Sequence, residues 1–158
     1  MSDLERIRSV ANYQFERNVG SKLFPGNVEI TLSKKTGRIR HIRLQGALIA
    51  TLRPTDGFFS LTIPGAQRLA TIIKTPRLKV VVRSDIEEFA EKGMNVFARH
   101  VISADPAIRP GEEVIVTGDK DRVLAVGKAL LTGKEMLSFK RGVAVRTRRG
   151  SQRLRNDA

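Results

Sequence analysis

The sequence predicts an α+β protein in which a small antiparallel sheet domain with helices is followed by a compact, barrel-like β domain. A chain of 158 residues, 41% of them hydrophobic, is long enough to bury a core in one or two domains. Its apolar residues fall mostly in short runs with strand-like alternation, and only three stretches show helical spacing. The segment "TPRL" interrupts both patterns. We therefore assign residues 1–77 and 78–150 to two domains, and 151–158 to a basic flexible tail.

The first domain begins with a helix in "SDLERIRSVANYQF", which Ser2 caps while Glu5 has the spacing of a capping box. Four strand-like runs follow, divided by turn-forming residues: "VEITLS", "GRIRHIRLQ", "LIATLRP" and "FFSLTI". "PGAQRLATIIK" returns to helical spacing, with Pro64 at the first helical position. These elements predict a small antiparallel sheet on which a helix packs.

The second domain starts with the strand "KVVVRS" and a helix "DIEEFAEK". We expect Ser84 to cap this helix, with Glu87 three residues on at the spacing of a capping box. We expect the helix to end at Gly93. The acids of this helix are expected on an outer face that points away from a polyanion: Asp85, Glu87, Glu88 and Glu91. Four further strands follow in "NVFARHVIS", "EEVIVTG", "VLAVGKALL" and "GVAVRTR", with turns at "DPAIRPGE", "GDKDR" and "TGKEM". Five strands around one helix predict a compact β barrel.

Charge and composition limit the function. The chain has 29 Lys and Arg against 16 Asp and Glu, a net charge of +13, which favours a polyanionic partner, either nucleic acid or an anionic membrane surface. It has no cysteine and only two histidines, neither in a metal-binding pattern, so we expect no metal, no cofactor and no catalytic residues. No apolar run approaches the ~20 residues that cross a bilayer, and the N-terminus lacks a secretory pattern, so we expect a cytoplasmic protein with no membrane partner.

The most basic stretch is "FKRGVAVRTRRGSQRLR", which contains seven basic residues and no acid. Strand alternation would place Arg146 and Arg148 on one face about 7 Å apart, a spacing that suits neighbouring phosphates, opposite the inward-facing Val143, Val145 and Thr147. The same patch would extend to Lys140, Arg141 and Arg149. An edge strand protected by its charge is the alternative.

A second basic strand, "GRIRHIRL", lies in the first domain. Arg38 and Arg40 share one parity, but Ile39 and Ile42 differ in parity, so a regular strand cannot bury both isoleucines. A β-bulge near His41 would reconcile them. Arg38 and Arg40 are candidates for RNA contact, with an exposed hairpin face as the equal alternative.

Longer motifs carry a resemblance to known families. The block from Lys79 to Arg149 resembles a PUA domain, the pseudo-barrel RNA-binding module of tRNA and rRNA modification enzymes, through "EKGMNVFARHV", "IRPGEEVIV", "LAVGKALLTGKEM" and "KRGVAVRTRRG". The first half resembles the domain that precedes PUA in archaeal tRNA-guanine transglycosylase, the archaeosine enzyme, through "YQFE", "KLF", "SKKTGRIR", "ATLRPTDGFFSLT" and "GAQRL". Residues 4–150 thus resemble the C-terminal accessory part of that family, without its large catalytic barrel.

The resemblance implies RNA binding and does not imply base exchange. The family's catalytic part needs a zinc site built largely of cysteines, and this chain contains no cysteine. In the family, PUA holds the acceptor stem and 3′ end of tRNA, and the preceding domain helps to present the D-arm. The PUA resemblance also implies that the turn at Gly93 lets backbone amides approach RNA, and Lys92 and Arg99 flank this turn. Lys128 lies in the PUA-like motif "LAVGKALLTGKEM" and is a further candidate for RNA contact. If alternation holds in this strand, Arg99 contacts RNA and His100 is structural.

Three functions follow as hypotheses. The first is a non-catalytic RNA-binding protein that recognises structured RNA, in particular tRNA, alone or for a separate catalytic tRNA-modifying enzyme. The second is a protein-interaction subunit that docks onto a modifying enzyme or a ribosomal component. The third, a small enzyme with an unrecognised site, finds little support because the sequence has no paired carboxylates and no glycine-rich phosphate loop.

Overall fold

The computed structural model describes residues 1–152 and forms two compact units, Met1–Lys74 and a second unit that begins at Thr75. The predicted α+β class is confirmed: a four-stranded antiparallel sheet with helices is followed by a nearly closed, six-stranded mixed sheet. Of the predicted tail, Ser151 and Gln152 have helical backbone, and 153–158 lie outside the described residues. Within 1–152, no helix combines the length and apolar character that crossing a bilayer requires.

The first unit has the two predicted helices and the predicted four-stranded sheet, and it also contains a short helix at Gly20–Leu23 that the sequence did not predict. Its helices are α1 (Asp3–Gln14), α2 (Gly20–Leu23) and α3 (Ile63–Ile72), and its strands are β1 (Glu29–Leu32), β2 (Ile39–Leu44), β3 (Ala47–Leu52) and β4 (Phe59–Leu61), paired in the order β1-β2-β3-β4. The hydroxyl of Ser2 accepts a hydrogen bond from the amide of Glu5 at the start of α1. Thr62 caps α3, so Pro64 occupies the second helical position and not the first.

The core of the first unit lies between its helices and one face of its sheet. Phe24 and Phe59 are buried with ring centroids 5.2 Å apart, and Ile7 and Leu69 are buried on the helices. Gln14 joins α1 to the sheet edge: its side-chain amide donates to the carbonyl of Phe59 and accepts from the amide of the same residue. The free edge of β4 is therefore covered by a side chain that mimics a strand.

The predicted bulge in β2 is present. His41 pairs with Thr31 of β1, but the next pair is Ile39 with Leu32, so Arg40 is the extra residue. As a result Ile39 and Ile42 are both buried, although they differ in parity. The bulge thus reconciles a buried sheet face with the irregular spacing of the isoleucines.

The second unit contains six strands, where the sequence predicted five. The strands are β5 (Lys79–Val82), β6 (Val96–Phe97), β7 (Val101–Ala104), β8 (Glu113–Thr117), β9 (Val123–Ala129) and β10 (Val143–Gly150), in the order β6-β10-β9-β8-β5-β7. The strands β5 and β8 are parallel, and the other neighbours are antiparallel. The number differs because a 3-10 turn at Ala98–His100 divides the predicted strand "NVFARHVIS" into β6 and β7.

Two helices of the second unit differ from prediction. Ser84 does not cap a helix but begins a 3-10 turn, Ser84–Ile86, and α4 (Glu87–Glu91) follows it without a side-chain cap. The predicted turn "TGKEM" instead opens α5 (Gly133–Ser138), where Thr132 and Glu135 form a complete capping box. The Thr-x-x-Glu spacing of a capping box is present in the sequence at Thr132 and Glu135. The capping box starts a helix here although Gly133 favours a turn.

Candidate nucleic-acid interface

The β9–β10 pair carries the central basic feature of the second unit. Arg146 of β10 lies directly opposite Lys128 of β9, and both side chains are exposed. Neither forms an ion pair with the described residues. Glu113 of β8 lies opposite Lys128 on its other side, but its carboxylate is bound by Arg148. Like charges directly opposite each other destabilise a strand pair, and a bound anion would relieve the repulsion between Lys128 and Arg146.

Arg148 departs from the predicted alternation. The register of β10 on β9 shifts between Thr147 and Arg149, so Arg148 lies in a bulge and does not simply repeat the placement of Arg146. Its guanidinium forms a two-pronged ion pair with the carboxylate of Glu113, through Nη1 to Oε1 at 2.8 Å and through Nη2 to Oε2. The Glu113 side chain is 0% exposed, against 37% for Arg148. Arg148 therefore has a structural role in neutralising a buried acid.

Other cations extend the surface around β10. Lys140 and Arg141 lie in the exposed turn that joins α5 to β10, and Arg149 is exposed near the end of β10. None of the three forms an ion pair within residues 1–152. We call Lys128, Lys140, Arg141, Arg146 and Arg149 the β10 surface.

The turn after α4 lies against the end of β10. Gly93 ends the helix with a φ of +93°, as predicted from its C-terminal position. A Cβ atom on Gly150 would lie 2.5 Å from the amide nitrogen of Gly93 and 2.2 Å from the carbonyl oxygen of Glu91, so only glycine permits this approach. The structure thus brings the predicted Gly93 turn next to the basic strand. Lys92, on the same turn, pairs with Glu88 at 3.3 Å and is about half exposed.

Arg99 and His100 lie in the 3-10 turn, so the strand alternation used to separate them does not apply. Arg99 is exposed, its guanidinium is 5.2 Å from the centroid of the Phe97 ring, and its Nε donates to Nε2 of His100 at 3.3 Å. Burial, followed by the charges of Arg83 and Arg99, lowers the pKa of His100 below its usual value. This segment is therefore electropositive, and Nε2 of His100 orients the Arg99 side chain as a hydrogen-bond acceptor.

The acids of α4 do not form the single outer face that the sequence predicted. The side chains of Glu87 and Glu91 are mostly buried, and both accept from Arg122, at 3.0 and 2.9 Å. Only Asp85 and Glu88 are well exposed, paired with Arg83 and Lys92. Arg122, for which the sequence predicted no role, thus forms ion pairs with these two acids within the unit.

The candidate residues of the first unit line a separate cleft. Arg38 is exposed beside β2 and Arg40 occupies the β2 bulge, and both line this cleft. His41 lies next to them with its Nδ1 3.4 Å from Oγ1 of Thr51, and no carboxylate of the described residues is hydrogen-bonded to it. Residues 1–152 contain no group of three or more His, Cys, Asp and Glu side chains placed to hold a metal ion.

Comparison with known families assigns both units. A model described as the patch-forming domain C2 of tRNA-guanine transglycosylase matches residues 5–76, and the PUA domain model matches residues 78–151. The tRNA-guanine(15) transglycosylase of Pyrococcus abyssi is 47% identical over 144 residues, which are 91% of this chain and 24% of that protein. The enzyme of the same name from Methanobrevibacter smithii is 42% identical, covering 96% of this chain and 23% of that protein.

Solved structures agree on the fold. A hypothetical protein of Pyrococcus horikoshii OT3 superposes with a TM-score of 0.76 at 22% identity, over 96% of this chain and 93% of that one. A conserved PUA domain protein from Thermoplasma acidophilum gives 0.66 at 20% identity, over 92% and 86% of the two chains. The chain spans about a quarter of the length of the curated transglycosylases, and it matches their C-terminal accessory region without the catalytic barrel. It is therefore a PUA-domain protein in which a C2 domain of the tRNA-guanine transglycosylase type precedes the PUA domain.

Proposed function

We propose that this chain binds the acceptor stem and 3′ end of tRNA through the β10 surface of its PUA domain, without catalysing a reaction itself. One observation carries the proposal: Arg146 and Lys128 face each other across β9 and β10 with no acid paired to either in the described residues. An RNA backbone supplies the negative charge that such a pair lacks, and phosphate contacts of this kind dominate affinity for nucleic acid.

The turn at Gly93 and the side chain of Arg99 add contacts that suit RNA ends. The exposed guanidinium of Arg99 and the half-exposed Lys92 flank the electropositive segment around His100. Recognition of RNA favours single-stranded ends, whose backbone and bases are accessible. We assign Lys92, Gly93 and Arg99 to the same interface as the β10 surface, and we leave Arg148 out of it because its guanidinium binds Glu113.

The absence of catalysis is proposed from the side chains of the described units. Neither His41 nor His100 has a hydrogen-bonded carboxylate to orient it, and the sequence supplies no cysteine nucleophile. The matched region of the transglycosylases is their accessory part. The chain would therefore present tRNA to a separate tRNA-modifying enzyme in the cytoplasm.

The test compares tRNA with duplex DNA of equal phosphate number in a salt series, by fluorescence anisotropy on the full chain. The variant Arg146→Gln/Arg149→Gln removes two charges from the β10 surface. Arg109→Gln/Lys120→Gln removes two exposed charges elsewhere in the same unit and serves as the control. We expect a preference for tRNA that the first variant loses and the control keeps. An equal loss of tRNA preference in both variants would show that net charge alone determines binding, and this would contradict the proposal.

A second pair of ligands tests the 3′ end. The tRNA is compared with the same tRNA lacking its unpaired 3′ nucleotides. We expect weaker binding of the shortened tRNA by wild type, and a much smaller difference for Arg146→Gln/Arg149→Gln. Identical affinities for the two tRNAs would exclude the 3′ end as a recognised feature.

A protein-interaction subunit is the second candidate, because the second unit exposes large apolar side chains. These are Phe89, Met94, Phe97, Ile102, Leu137 and Phe139. Single exposed apolar residues are common, and these six are the apolar side chains of this unit that docking onto a protein partner would bury. Weak binding to both nucleic acids, together with stoichiometric binding of a purified modifying enzyme, would favour this function over RNA binding.

A further inference from the structure

The first unit contains a cleft whose lining combines cations with apolar side chains. It has a volume of about 910 Å³, which is within the usual range for sites that bind small molecules. Three segments form it: the start of α1, the β1–β2 hairpin and the β3–β4 hairpin. Five cations line it, and they come from all three segments: Arg6, Lys35, Arg38, Arg40 and Arg53.

Most of this positive charge is uncompensated. Arg53 pairs with Asp56 at 3.0 Å, but the other four cations form no ion pair with residues of the described chain. Asp3 is the remaining acid of the lining. The pKa of the neighbouring His41 is lowered mainly by burial and then by the charges of Arg43 and Arg40, of which only Arg40 lines the cleft. Such a concentration of cations attracts an anion.

The apolar part of the lining narrows the class of ligand. It consists of Leu32, Ile39, Leu52 and Pro54, and Leu32 is 46% exposed although it belongs to a strand. Inorganic anions gain nothing from apolar contacts, whereas the faces of a nucleobase are apolar surface that burial against these aliphatic side chains removes from water. Guanidinium groups match phosphate through paired hydrogen bonds. A ligand with a base and a phosphate therefore satisfies both parts of the cleft.

We infer that this cleft binds a nucleoside phosphate, with the base on the apolar side chains and the phosphate on Arg38 and Arg40. An unstacked nucleotide of an RNA strand and a free nucleotide share this chemistry. The cleft is distinct from the β10 surface, since all its lining residues belong to the first unit. The inference rests on the proposed function only if the bound nucleotide belongs to an RNA strand.

The experiment uses the full ¹⁵N-labelled chain and four probes: a single-stranded hexauridylate, uridine monophosphate, uridine and inorganic phosphate. Amide shifts are followed at Thr36, Gly37 and Gly57, which line the cleft. The variant Arg38→Gln/Arg40→Gln removes two of its cations. Lys34→Gln/Arg43→Gln is the matched control, because it removes two charges from the same hairpin and strand but neither residue lines the cleft.

We expect hexauridylate to shift these amides and the Arg38→Gln/Arg40→Gln variant to raise its Kd about tenfold or more, since two charge-assisted hydrogen-bonding groups are lost. The control should change the Kd by less than about threefold. Shifts with uridine monophosphate as well assign the site to a free nucleotide, and shifts with hexauridylate alone assign it to a strand. Either result supports the inferred ligand class.

Two outcomes overturn the inference. Equal effects of the variant and its control would show that net charge alone attracts the ligand. Equal affinity for inorganic phosphate and uridine monophosphate would show that the apolar side chains do not bind a base. Neither outcome affects the proposed function, which is judged by the Arg146→Gln/Arg149→Gln variant. If that variant kept its preference for tRNA, the proposed function would fail, and ligand binding in the cleft would still support the present inference.

Discussion

Replacing Arg148 by alanine should destabilise the second unit, whereas replacing Arg146, two positions earlier, should not. Arg148 binds both oxygens of Glu113, whose side chain is 0% exposed, and Arg146 pairs with no acid in the described chain. Removing one partner of a buried ion pair costs about 3–5 kcal/mol. Because 37% of the Arg148 side chain is exposed, water can partly solvate the remaining carboxylate. We therefore expect a loss of about 2–3 kcal/mol.

Differential scanning calorimetry measures this difference on the full chain, in the transition of the second unit. For a unit of this size, the loss corresponds to a fall in Tm of about 10–20 °C for Arg148→Ala. Arg146→Ala should stay within about 3 °C of wild type, because exposed, unpaired positions change stability little. The same two variants should rank in the opposite order for RNA affinity.

A double-mutant cycle isolates the ion pair from other effects of the substitution. Glu113→Gln removes the buried charge, so Arg148→Ala should cost much less in that background than in wild type. Similar Tm values for Arg148→Ala and Arg146→Ala would refute the structural role of Arg148. An additive cycle would show that its contribution comes from packing and not from Glu113.

Three further predictions concern other parts of the molecule. Gly65→Ala should destabilise the first unit by about 2 kcal/mol or more, because a Cβ there would lie 1.9 Å from the carbonyl oxygen of Ile49; an unchanged denaturation midpoint in circular dichroism would contradict this close approach. Binding of hexauridylate should raise the lowered pKa of His41, since a phosphate bound by Arg40 offsets the charge of that residue. Proton NMR measures the pKa of His41 in the free chain and in the complex. The affinity for hexauridylate should rise as pH falls through the pKa of the complex, because the complex then binds a proton that the free chain does not. A pKa of His41 that does not change at saturation would count against phosphate binding beside Arg40. In tRNA binding, Arg146→Gln should reduce the slope of log K against log salt by about 1, and an unchanged slope would mean that Arg146 contacts no phosphate.

The stability of the uncomplexed chain should also depend on its histidines. Burial and neighbouring arginines lower the pKa of both His41 and His100 in the folded state. The unfolded chain therefore binds protons more readily, so stability is present above the unfolded histidine pKa and decreases as pH falls below about 6.5. Replacing both histidines by glutamine should flatten the Tm between about pH 7 and pH 5. A slope that persists in that variant would assign the effect to other groups.

Local patterns in the sequence determined most of the elements and the character of the surface. Alternation and helical spacing identified the four strands of the first unit, α1 and α3, and even the bulge that buries both Ile39 and Ile42. These features follow from contacts between near neighbours in the chain, which periodicity records. The charge of +13 and the PUA motifs likewise required only composition and short segments.

Tertiary structure decided which cations are available to a ligand. Arg148 pairs with Glu113 and Arg122 with Glu87, each 35 residues away in the sequence, so no local pattern separates them from Arg146 or Arg149. The cleft of the first unit likewise joins Arg6 of α1 to cations of two hairpins. Ion pairing and potential depend on distances through space, which the folded chain sets. The sequence by itself thus determined that the protein is basic and how its strands alternate, and the fold alone determined where that charge remains uncompensated.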